Sequence, residues 1–95
     1  MPKRRPPTPP PTTFAFHPRW KEELVCSAAG GRFVLELAMG TLAAYLPTQD
    51  AWEARGPAWA RDLWPVLHDE LAAWCKANKA RFMVVEDAQV FPDTM

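Results

Sequence analysis

The chain predicts an α+β fold: a small antiparallel sheet of three to five strands, with one main, proline-kinked helix packed on one face, preceded by a proline-rich tail. Three observations predict it. Residues 32–38 alternate large apolar side chains at the period of a strand. Residues 58–78 carry an apolar stripe at the period of a helix. The segments run strands, long helix, strand, an order that buries both apolar faces when the helix lies across the sheet.

Residues 1–13 hold six of the eleven prolines, which no helix or central strand accommodates. They form a basic tail, extended or disordered, and residues 14–95 make one α+β domain. Arg4, Pro7 and Pro10 fit the spacing of ligands for aromatic-lined grooves, a match that so many prolines make almost unavoidable. Phe14–Phe16 alternates as an edge strand and Pro18 ends it. Leu24–Ser27 is a short strand. Ala28–Gly31 is a turn, its adjacent glycines allowing positive φ.

In Arg32–Ala38, Phe33, Leu35 and Leu37 share one face and Val34, Glu36 and Ala38 the other. Met39-Gly40 turns the chain, and Leu42–Leu46 returns until Pro47 stops it. A helix over 41–46 competes, because leucine and alanine are good helix formers. Asp50 and Glu53 have the spacing of a capping box for a short helix that Gly56-Pro57 closes.

The main helix spans 58–78, with Ala60, Leu63, Trp64, Leu67, Leu71, Trp74 and Cys75 on one stripe. Asp62, Asp69 and Lys76 lie opposite. Pro65 interrupts it at a cost of roughly 3 kcal/mol in a helix interior. The helix therefore kinks there, or restarts with Asp62 as N-cap and Pro65 in the first turn. Asn78 is the expected left-handed residue at its end. Arg81–Glu86 is a last strand, and Val90 and Phe91 anchor the loop beyond it.

An apolar fraction of 48% supports a modest core. The net charge of zero conceals a division. Lys3, Arg4 and Arg5 make the tail basic, leaving eight basic against eleven acidic residues from Phe14 onward. An acidic domain repels phosphates, so a basic protein is the expected partner of the domain rather than nucleic acid. The start of the sequence lacks a secretory pattern and no segment has transmembrane length, so a cytoplasmic protein with Cys26 and Cys75 reduced is expected.

Catalytic chemistry finds little material. His68 and Cys75 are two helical turns apart, about 10.5 Å along the axis, beyond the reach of a nucleophile–base hydrogen bond. His17, Cys26, His68 and Cys75 lack the close pair spacings of zinc motifs. Gly30-Gly31 precedes a strand, not a helix, and so makes no phosphate loop. Ser27 is the only serine. Neither enzyme activity, nor a metal, nor a cofactor is expected. Glu36 reads as an outward residue of its strand, functional only if a helix covers that face.

The tryptophans carry the functional expectation. Trp20 stands apart, while Trp52, Trp59, Trp64 and Trp74 crowd one stretch. Trp64 and Trp74 lie on the helical stripe and belong to the core. Trp59 falls on a flank with Val66, Ala73 and Ala77, and Trp52 in the preceding turn. Aromatic anchors beside acids suit a basic protein partner. The candidate partner surface is Trp52, Glu53, Trp59, Asp62, Val66, Asp69 and Glu70. The competing reading has Trp52 and Trp59 cap the ends of the core.

In size, charge and aromatic content the chain resembles the small acidic α+β immunity proteins that neutralise bacterial toxins. That resemblance implies a non-catalytic inhibitor and transfers no residue roles. Two alternatives stand beside it: a small-ligand or regulatory domain with a pocket near Tyr45, His68 and Trp74, and nucleic-acid association through the basic tail. Pairing of two copies, through an exposed edge strand or surplus tryptophans, is a further expectation.

Overall fold

The computed structural model describes residues 13–19 and 22–92. The proline-rich segment 1–12 and Trp20, with the expectations placed on them, lie outside the described residues. The elements are β1 (Ala15–Arg19), β2 (Glu23–Ala28), β3 (Gly31–Ala38), β4 (Ala43–Leu46), α1 (Gln49–Arg55), a 3-10 helix (Ala58–Leu63), α2 (Trp64–Ala77), β5 (Arg81–Val84) and β6 (Val90–Pro92). The fold is the predicted α+β arrangement, a sheet with a main helical segment against it. The sheet has six strands, and one pairing is parallel, so it is mixed and not wholly antiparallel.

Strands β1 to β4 form an antiparallel meander, and β5 joins β4 in parallel after the helical layer. The sixth strand was not expected. β4 covers Glu36–Ala38 of β3 and then departs at Pro47 for the helices. Val90–Pro92 takes the vacated edge, pairing with Phe33–Leu35. A chain that leaves a sheet early exposes unpaired backbone groups, and β6 satisfies them.

The alternation in β3 is as the sequence predicts on its core face. Phe33, Leu35 and Leu37 are completely buried, joined there by Leu24, Cys26, Ala44, Leu46, Leu67, Leu71 and Cys75. On the other face Glu36 is half-buried and its Oε1 accepts from the Gln89 backbone N–H at 2.9 Å. Among the described residues no helix covers it, and this bond holds the approach to β6. Val34 on that face is nevertheless buried, flanked in register by Val25 and Phe91. Tyr45 lies there too, in a cross-strand row with Glu36 and Met83.

Four local expectations need correction. Pro18 does not end the first strand but lies within β1, opposite Leu24. Thr48, not Asp50, caps α1: its side chain accepts from Ala51 N–H at 3.3 Å, and the helix begins at Gln49. The helical segment 58–77 changes character where Pro65 stands. Its first six residues are 3-10, and α2 starts at Trp64 with Pro65 in the first turn. Leu63 occupies the cap position without a side-chain bond, so Asp62 does not cap the restart. A proline in the first turn forfeits no helical hydrogen bond, which removes the interior penalty. At the far end the left-handed residue is Lys79 (φ 57°), while Asn78 Nδ2 donates to Trp74 O at 2.8 Å.

Candidate functional site

The anticipated aromatic–acidic surface divides once the tryptophans are placed. Trp52 is fully buried. Its Nε1 donates to Ala60 O at 2.9 Å, and its ring meets Phe33 edge-on at 5.1 Å. The residue joins α1 to the 3-10 helix and offers nothing to a partner, which corrects its inclusion in the candidate surface. Gly56 is required by the same contact: a Cβ there would lie 2.7 Å from Trp52 O and 2.9 Å from the indole. The helix closes at Gly56 as predicted, with an ordinary negative φ and this crowding as the reason.

Trp59 keeps 37% of its surface exposed. One side of the indole lies over the β2–β3 turn, so close that a Cβ on Gly30 would fall 2.6 Å from its Cε3. The other side lines a cleft of about 240 Å³ with Arg32, Arg55, Pro57, Phe91 and Pro92. Basic side chains, not acids, stand beside this tryptophan. Arg55 donates to Glu86 O and helps fix the β5–β6 loop.

Of the acids, Glu53, Asp62 and Asp69 are exposed and Glu70 is half-buried. Asp69 Oδ1 lies 3.1 Å from His68 Nδ1. Glu70 has a structural bond on each oxygen: Oε2 accepts from Thr13 N–H at 2.9 Å and Oε1 from Phe14 N–H at 2.7 Å. Charge-assisted bonds of this kind are the strong ones, and these two tie the root of β1 to the middle of α2. Val66 packs partly buried against the core.

That tie builds a site the sequence did not announce. β1 is the sheet edge, and the flank of α2 bearing Glu70 and Trp74 lies beside it. Phe16 and Trp74 meet with ring centroids 6.1 Å apart. Between strand and helix runs a groove of about 500 Å³, lined by Ala15, Phe16, Ala73 and Trp74, with Phe14 behind and Asp69 and Glu70 on the rim. From it an aromatic run continues inward, Phe16 to Phe14 at 6.3 Å and Phe14 to Phe33 at 5.8 Å. Of the seven predicted surface residues only Asp69 and Glu70 line this groove. Phe16 and Trp74 were missed as lining residues, because only the long-range pairing of β1 with α2 brings them together.

The pocket expected near Tyr45, His68 and Trp74 does not form. Tyr45 is on the face away from the helices. His68 stands on the opposite flank of α2 from Trp74, between Trp64 at 5.0 Å and Phe82 at 5.1 Å. Trp64 and Trp74 both pack against the core, as their place on the stripe predicts. Trp64 Nε1 donates to Pro47 O at 2.9 Å.

The two cysteines are free thiols in the core. Burial raises the pKa of both thiols, that of Cys26 strongly, which makes them poor nucleophiles. Among the described residues no three histidine, cysteine or acidic side chains gather as a metal would need. His17 pairs in register with Val25, on the face of the sheet opposite Cys26. No helix among the described residues is long and apolar enough to cross a membrane. No protein-family model matches the chain, and no curated protein or solved structure does either.

Proposed function

We propose that the chain is a small non-catalytic protein-binding domain that holds a basic, apolar-bearing segment of another protein in the groove between β1 and α2. The groove carries the reading: an apolar floor of Ala15, Phe16, Ala73 and Trp74 beneath a rim with Asp69 and Glu70. An apolar side chain of the partner would supply the energy by leaving water, and its arginine or lysine would meet the carboxylates. The acidic balance of residues 14–95 favours encounter with a basic partner. Neutralising a basic toxin is one task such a domain performs.

Selection of a displayed peptide library on the full chain tests the reading. The expected winners combine arginine or lysine with a large apolar residue and are lost on Asp69→Lys. Enrichment of acidic peptides, or of peptides indifferent to Asp69→Lys, would refute the groove as the site.

A further inference from the structure

The two outer strands of the β1–β5 path are built differently. β1 contains Pro18 and is gripped at its root by Glu70, features that blunt an edge. β5 has neither. Its neighbour on one side is β4, with Ala43, Ala44, Tyr45 and Leu46 opposite Arg81, Phe82, Met83 and Val84. Arg81 N–H reaches Leu42 O at 2.8 Å and Val85 N–H reaches Leu46 O at 2.9 Å. The alternation of a parallel ladder therefore turns the amides of Arg81, Met83 and Val85 toward β4. The N–H and C=O groups of Phe82 and Val84 point the other way, and among the described residues no hydrogen bond reaches them. Met83 and Val84 are also among the few exposed large apolar side chains.

We infer that β5 is an interface for a second copy of this chain, pairing antiparallel about a two-fold axis at Met83. In that register Phe82 lies opposite the partner's Val84 and Val84 opposite the partner's Phe82. Both are the hydrogen-bonded type of antiparallel pair, each exchanging two bonds. All the outward groups of the strand are then satisfied, and the two Met83 side chains meet on the axis, where cross-strand contact is closest. The charges select a second copy in this orientation. Lys79 and Arg81 stand at the start of the strand and Glu86 and Asp87 just past its end, all exposed. Antiparallel self-pairing brings the basic end of each strand to the acidic end of the other, whereas parallel pairing would set like charges together. A two-fold interface requires such self-complementarity.

Sedimentation velocity of the full chain from micromolar to millimolar concentration tests this. A monomer–dimer equilibrium is expected, weakened at least tenfold by Val84→Pro, which removes an outward N–H and no bond to β4. Met83→Lys, at an exposed side chain, places two like charges on the axis and weakens the dimer equally without relying on the proline variant to fold. Circular dichroism confirms the fold of each. A monomer throughout the range overturns the inference. So does a dimer unchanged by Met83→Lys in a folded chain, which would place the contact at another surface or the free edge of β5 against a different protein.

Discussion

The indole of Trp59 rests on Gly30 so closely that a Cβ on that glycine would sit 2.6 Å from the ring carbon Cε3. At Gly31 the φ is 152° and a Cβ would approach the indole nitrogen to 3.1 Å. A tryptophan that reads as a partner anchor is thus a plate over the β2–β3 turn, and its packing explains why two glycines stand there.

Gly31→Ala is expected to destabilise the fold by about 1–3 kcal/mol, since it combines overpacking with a φ that side chains disfavour. Gly40→Ala is the control, because nothing lies within 4 Å of a Cβ there. Its effect should stay within about 0.5 kcal/mol. Urea unfolding of the two variants reads the difference.

Trp52→Phe removes the donor to Ala60 O while keeping an aromatic ring against Phe33. Loss of this bond costs about 0.5–1.5 kcal/mol, and the smaller ring adds a void. The urea midpoint should fall with its slope unchanged.

Glu70→Ala releases the backbone amides of Thr13 and Phe14 together. Hydrogen exchange at Phe14 should accelerate at least tenfold, while the amides of β3 lose only what global stability loses. Equal acceleration everywhere would mean that Glu70 supports the whole fold and not the root of β1 alone.

The thiols give a pH dependence with a definite sign. Burial raises the pKa of Cys26 and Cys75 in the folded chain, while unfolded thiols ionise near 8.5. Above about pH 8.5 the unfolded state releases protons that the folded state retains, so stability declines as pH rises. Below that pH the contribution is complete. A Cys26→Ala, Cys75→Ala double variant should flatten the alkaline limb of stability against pH. Both native thiols should resist a disulfide reagent until the chain unfolds.

Sequence reasoning reached what is locally encoded. The alternation of Phe33, Leu35 and Leu37, the Gly30-Gly31 turn and the stripe through Leu67, Leu71 and Cys75 all describe one element at a time. Trp59 lies off the core stripe and stays partly exposed as predicted, and Ala60 and Leu63 on the stripe pack inward. The neighbours of Trp59 were not legible, because Gly30, Arg32 and Phe91 reach it only through the β2–β3 turn and β6. β6 was invisible because Val90–Pro92 becomes a strand only where β4 has vacated the edge of β3. The groove was invisible for the same kind of reason, as Phe16 and Trp74 are brought together by a bond between Phe14 and Glu70. Asp69 and Glu70 were legible as acids beside aromatics, though the aromatics proved to be others.

The β1–α2 groove, and not the Trp59 surface, is the proposed partner site. Amide chemical-shift mapping of the full chain with a library-selected basic peptide tests it most directly. Shifts centred on Ala15, Phe16, Asp69, Glu70, Ala73 and Trp74 are expected, with binding that survives Trp59→Ala. Shifts centred on Trp59, Arg32 and Phe91, with the groove amides unmoved, would contradict it.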